Sequence, residues 1–242
     1  MVKYSQVVLS NQTILLQLSL PKKIFVPHVD EIEVFMVKNN KAYQVAKLAI
    51  MFATIFVAMM LDKAISTLTA LSMAVVVLLV TLSFCFLENK WSTAIFSGLF
   101  FGVASFVKEF VMPSKALMVF PPQYWALIAI PPRVLMTTVA FVVYKLMQKL
   151  MSHSAPRKRQ IASIAVASFF GLVTNTFGFL SMLELSRLMY QVQTEGIFVL
   201  IYAALFTNII PEYAISILCV PAIVLGVRRG LKLGIEGTVK VS

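Results

Sequence analysis

Apolar residues fill most of this chain in runs of about 20, divided by short polar breaks, and a helix of that length crosses a hydrocarbon core of roughly 30 Å. The runs predict spanning helices over 43–61, 64–87, 91–111, 131–149, 160–182 and 207–227. Residues 1–40 depart from the pattern. Their alternation is partial, Pro21 and Pro27 interrupt it, and no apolar run is long enough to span, so they read as short extended pieces. No basic start followed by an apolar stretch and a small-residue cleavage site marks a signal peptide. They are expected to form a cytoplasmic extension lying on the membrane or on a partner.

Composition agrees with the runs: 60% of the 242 residues are hydrophobic and 13% charged, too apolar for a domain with a water-facing surface. An even number of spans puts both termini on one side, and the cations say which. Of the 21 Lys and Arg residues, Lys63, Lys108, Lys115, Arg133 and Arg187 fall on the side opposite the termini, so the positive-inside rule makes both termini cytoplasmic. The expected fold is an all-α integral membrane protein of the cell membrane. It comprises a compact bundle of six transmembrane helices over 42–230, an extension at 1–41 and a cytoplasmic tail at 231–242.

A net charge of +11 would suggest nucleic acid if the protein were soluble. Here the excess sits in KLMQKLMSHSAPRKR and VRRGLK, where it meets anionic lipid headgroups or a cytoplasmic partner, and no aromatic-basic interleaving outside the spans points to nucleic acid. Cys85 and Cys219 fall within predicted spans without metal-ligand spacing, so neither a disulfide nor a zinc site is expected. H-E-x-x-H, G-x-S-x-G and the P-loop pattern do not occur, and His28 and His153 fall in predicted cytoplasmic segments. No enzyme, cofactor or metal is therefore expected, and ATP hydrolysis would have to come from partners.

Two stripes of small residues stand out. Ala42, Ala46, Ala49 and Ala53 pair at four-residue steps along the first span, and Gly98-Leu-Phe-Phe-Gly102 does the same in the third. In lipid, such stripes let helices approach closely, either within one bundle or against a partner.

Polar groups gather at one depth on the extracellular side. The fourth helix is expected to begin at Pro131 and Pro132, because proline fits a first turn, which puts Arg133 at the outer mouth. Asn175 lies about 22 Å up the fifth span, beside Thr176. The sixth opens with TNIIPEYA, whose Asn208 and Glu212 share a helix face. Gln123, Tyr124 and Trp125 come from the preceding loop, MVFPPQYW. Arg133 is open to two roles, snorkelling at the headgroups or binding a ligand, and the aromatic residues to two, an interfacial belt or a pocket wall. An ionisable Glu212 inside a span should face a cavity or a partner charge, and Arg133 is one such charge.

With these residues in place, the chain resembles a substrate-binding S component of the energy-coupling factor (ECF) vitamin transporters. FSGLFFGVASF, PPRVLMTTVAFVVYKLM, GLVTNTFGFLSML and TNIIPEYAISILCVPAIV carry the likeness, in the family's order and spacing, over roughly 42–230. The Pro-Arg and Asn-Thr elements are its most specific parts. The long N-terminal extension and the doubled proline before Arg133 are departures from the family's usual form.

The resemblance implies a membrane subunit that captures a vitamin outside and joins a transmembrane coupling subunit and two ATPase subunits, then topples within the bilayer to release it inside. It also implies that Ala42, Ala46, Ala49 and Ala53 are the docking face. The Pro-Arg pattern is more similar to the pantothenate type and to the pyridoxine or hydroxymethylpyrimidine types than to the folate type. A guanidinium in a partly dry pocket pairs well with a carboxylate. The expected substrate is therefore pantothenate or another small carboxylated vitamin, held by Arg133, with Asn175, Asn208 and Glu212 on its hydroxyl and amide groups. A stand-alone secondary transporter and an intramembrane enzyme are the rivals of another class, although no clear internal repeat is present.

Overall fold

The first helix does not stop where its charges begin. In the computed structural model, which describes residues 41–69, 74–113, 120–190 and 209–231, α1 runs Lys41–Thr69, straight through Asp62 and Lys63. No proline or glycine interrupts that stretch, so backbone bonding continues. Buried Met51, Ile55, Ala58, Met59 and Asp62 follow one another at steps of one to four residues and form one helix face. The break expected after residue 61 is thus displaced.

Five helices follow: α2 (Ala74–Leu87), α3 (Trp91–Val111), α4 (Pro122–Leu150), α5 (Pro156–Tyr190) and α6 (Ile210–Gly230). All the regular structure among the described residues is helical, and α1, α3, α4, α5 and α6 are long and apolar enough to cross a membrane. α2 has 14 residues and is the shorter one. The chain separates after Lys47, and Leu48–Ser242 is the larger body; of Met1–Lys47 the structure describes the opening turns of α1. The expected extension over 1–40 and the tail beyond 231 lie outside the described residues.

α4 begins earlier than the sequence pattern suggests. Pro121 is its N-cap and Pro122 its first residue, so the first turn uses this proline pair rather than Pro131 and Pro132, which lie inside the helix. Both pairs satisfy the same first-turn preference, and the apolar run ALIAI joins them into one helix.

Glycines set how closely the neighbours approach α4. A Cβ added at Gly98 of α3 would fall 2.6 Å from the Arg133 carbonyl oxygen, and one at Gly102 would fall 2.8 Å from Ile130 Cα. On the other side, Gly171 and Gly178 of α5 lie against Ala140 and Pro132. This is the packing lipid favours, because apolar burial alone does not draw helices together there. Large apolar side chains face outward instead, among them Leu218 at 74% exposure and Phe177 at 67%, as a lipid-facing surface requires.

One cation departs from the expected loop position. Arg228, in the last turn of α6, is 1% exposed. It donates from Nε to the Leu87 carbonyl (3.2 Å) and from Nη2 to the Phe86 carbonyl (2.5 Å), and so closes the C-terminal end of α2. Nη1 reaches Gln160 Oε1 at 3.2 Å, and Tyr144 donates to the same oxygen at 2.9 Å. Four helices thus meet on one guanidinium, while the adjacent Arg229 is exposed.

Candidate functional site

Arg133 lies well inside α4, not in the first turn as expected, and the prolines explain its contacts. In a helix the N–H of residue 132 would bond the carbonyl of Ile128, but proline has no N–H. Arg133 Nη1 donates to that carbonyl at 2.9 Å. A long helical side chain leans back toward the N-terminus, so the residue after the gap is well placed to fill it. The rest of the guanidinium lies between two aromatic faces, 5.6 Å from the Phe101 ring centre and 5.3 Å from that of Phe179. Its Nε is buried and without a hydrogen-bond partner. No carboxylate ion-pairs with it among the described residues; Glu109, buried in α3, has a salt bridge with Lys108 at 3.1 Å.

Of the aromatic residues at the start of α4, Trp125 packs into a core. Trp125 is 7% exposed and donates its indole N–H to the Phe120 carbonyl at 3.0 Å. With Phe120, Ile128 and Leu183 it forms a small core against which Phe179 packs, so it supports one wall of the Arg133 cage. Gln123 and Tyr124 are in the first turn of α4.

A second polar group forms where α5 meets α6. Tyr213 donates its hydroxyl proton to the Leu172 carbonyl at 2.9 Å. Its oxygen therefore accepts from Thr176 at 2.6 Å, which commits the Thr176 proton. The sequence pattern does not single out Tyr213, although it directly follows Glu212. Replacing it with phenylalanine removes both bonds, and an expected loss of about 1–2 kcal/mol should appear as a lower midpoint in thermal unfolding.

Asn175 lies on the same turn of α5. At about 100° per residue it falls between Gly171 and Gly178, which look toward α4, and Thr176, which looks toward α6. Its Oδ1 is buried and unpartnered. Measured along the helices from the Gln160–Arg228 bond, Asn175 and Glu212 lie at nearly the same height, about 22 and 24 Å. Glu212 makes no ion pair with Arg133. Asn208 lies outside the described residues.

The expected site residues thus divide into two poles at the end of the bundle away from Arg228. Arg133 has its spare N–H between Phe101 and Phe179; Thr176 bonds Tyr213, the residue after Glu212, and Asn175 falls on α5 between the two. On the opposite question, Ala42, Ala46, Ala49 and Ala53 are all exposed along α1, whereas the glycines facing α4 are covered. Both cysteines are free, and no group of three or more metal-ligating side chains occurs among the described residues. No family model, curated protein or solved structure matches the chain.

Proposed function

We propose that this protein is the membrane-embedded, substrate-binding subunit of an ECF-type importer. It captures a small water-soluble vitamin or precursor on the extracellular side, pantothenate being favoured, and delivers it by docking to a coupling subunit driven by two ATPases. Both termini are then cytoplasmic, and the exposed alanines of α1 meet the coupling subunit. The observation that carries the reading is Arg133: a half-buried guanidinium between two aromatic faces, without a carboxylate in ion-pairing distance and with a buried, unspent Nε–H. A partly desolvated cation with an open donor is complementary to an anionic group, and charge-assisted bonds of this kind contribute roughly 1.5–3 kcal/mol.

The test is thermal stabilisation of the purified chain by pantothenate within a panel of B vitamins and their precursors. A ligand that binds the folded state raises the midpoint by mass action. Arg133→Gln keeps a donor for the Ile128 carbonyl but removes the charge, and Arg133→Ala removes both. Binding of a carboxylated vitamin is expected to weaken by roughly 10- to 100-fold in each. Unchanged affinity in a folded Arg133→Gln protein would exclude the role.

A further inference from the structure

We infer that the corner where α4 ends and α5 begins binds an anionic phospholipid: Lys149, Arg157 and Lys158 hold the headgroup phosphate, and an acyl chain lies along Val142, Leu146 and Leu150. The inference goes beyond the substrate reading above and does not depend on what Arg133 binds.

The basic excess around this corner could serve lipid headgroups or another protein, and the structure first narrows which cations are in play. Arg228 is committed inside the bundle, and Lys145 holds its ammonium 5.3 Å over the Phe141 ring of its own helix. Lys149, Arg157 and Lys158 are exposed, and none of them forms an ion pair among the described residues. Only residues 151–155 separate α4 from α5, and the N–H groups of Ser152 and Ser154 donate back to the carbonyls of Lys149 and Met151, so the three charges stand at one tight turn. No acid near them in the sequence neutralises them, because the chain has no Asp or Glu between Glu109 and Glu184. Glu88, at the end of α2, pairs with Lys90 at 3.7 Å and accepts from Thr93. α5 also opens with Arg157, Lys158 and Arg159 and no acid in its first turn, an arrangement that its own dipole opposes. Like charges gathered in this way repel until an anion joins them.

Charge alone would suit an acidic peptide as well as a lipid, and the apolar surface beside it decides between them. Val142, Leu146 and Leu150 are exposed and follow one another at steps of four, which makes one stripe along α4. Lys149 stands three residues beyond Leu146 on the same side of the helix. Ile161 repeats the order on α5: it is exposed and one turn deeper than Arg157 and Lys158. Both helices thus place exposed cations just beyond exposed apolar side chains, at the end of a segment long and apolar enough to cross a membrane. A phospholipid has the same order, with acyl chain below and phosphate above, and basic residues at a membrane surface favour its anionic forms. A water-soluble acidic peptide offers nothing to the stripe.

The test takes the full chain purified in dodecyl maltoside, adds phosphatidylglycerol or phosphatidylcholine at low salt, and reads the thermal midpoint together with retained lipid by native mass spectrometry. Phosphatidylglycerol is expected to raise the midpoint and stay bound more than phosphatidylcholine does, with the advantage fading as salt rises. In the triple variant Lys149→Gln, Arg157→Gln, Lys158→Gln its apparent affinity should fall on the order of 100-fold, whereas Lys90→Gln with Arg229→Gln, which removes two other exposed cations, should keep it. Leu146→Ser with Leu150→Ser leaves the charges in place and should weaken binding about tenfold. All three basic side chains are exposed, so the triple variant is expected to melt with the parent in phosphatidylcholine, which reports that it is folded. Equal responses to the two lipids, or an undiminished phosphatidylglycerol response in the triple variant, would overturn the site. A response to glycerol phosphate or to soluble polyglutamate as strong as that to phosphatidylglycerol would assign the corner to free phosphate or to an acidic protein partner and overturn the lipid.

Discussion

Arg228→Ala is expected to lower the thermal midpoint by on the order of 10 °C, or to abolish recovery of folded protein, while Arg229→Ala leaves it near the parent value. The guanidinium serves carbonyls at the end of α2 and the side chains of Gln160 and Tyr144 together. Its removal leaves those acceptors in an apolar interior, where each unpaired group costs about 1–3 kcal/mol. The loss of a buried charged network as a whole costs about 3–5 kcal/mol. Arg228→Lys should recover little, since an ammonium group cannot reproduce the planar fork that reaches Leu87, Phe86 and Gln160 at once. Fluorescence of Trp91 and Trp125 during heating reads the outcome; an Arg228→Ala protein melting with the parent would show that the network contributes no net stability.

Gly98→Leu should be nearly as damaging, and for a reason of space rather than charge. The first added carbon already falls 2.6 Å from a backbone oxygen and 2.9 Å from Val134 Cα. Backbone cannot rotate away as a side chain can, so α3 and α4 must separate, at a cost of about 1–3 kcal/mol or more. Because Phe101 is three residues along the same helix, the separation also opens the Arg133 cage. The expected result is therefore a lower midpoint together with weaker ligand stabilisation. Gly226→Ala is the control: a Cβ there meets nothing within 4 Å, and removing a mid-helix glycine should stabilise by up to about 1 kcal/mol. Equal behaviour of the two variants would refute the steric account.

What could be read from the sequence depended on whether a feature was local. α3 occupies 91–111 as expected, because Trp91 follows a charged bend and the helix ends shortly before Pro113. α1 and α4 depart from the sequence pattern at positions where local chemistry permits two answers. Asp62-Lys63 reads as the end of a span, yet a carboxylate can remain on an interior face if the bundle accommodates it. Pro121-Pro122 and Pro131-Pro132 are equally good first turns, and choosing between them requires knowing that Arg133 can repair the gap left by the second pair. Arg228 and Arg229 are adjacent and identical in kind. That one is buried and the other exposed follows from where α2 ends, which no window around α6 contains.

The doubled proline therefore has a genetic consequence. Pro132 withdraws a donor from Ile128, and Arg133 returns one. A lineage that lost the arginine alone would carry an open carbonyl in a dry interior; one that lost the proline alone would set a backbone N–H and a guanidinium to share one acceptor. The two codons are therefore expected to form an epistatic pair, easiest to exchange together, since the helix itself gives the arginine a use apart from any ligand.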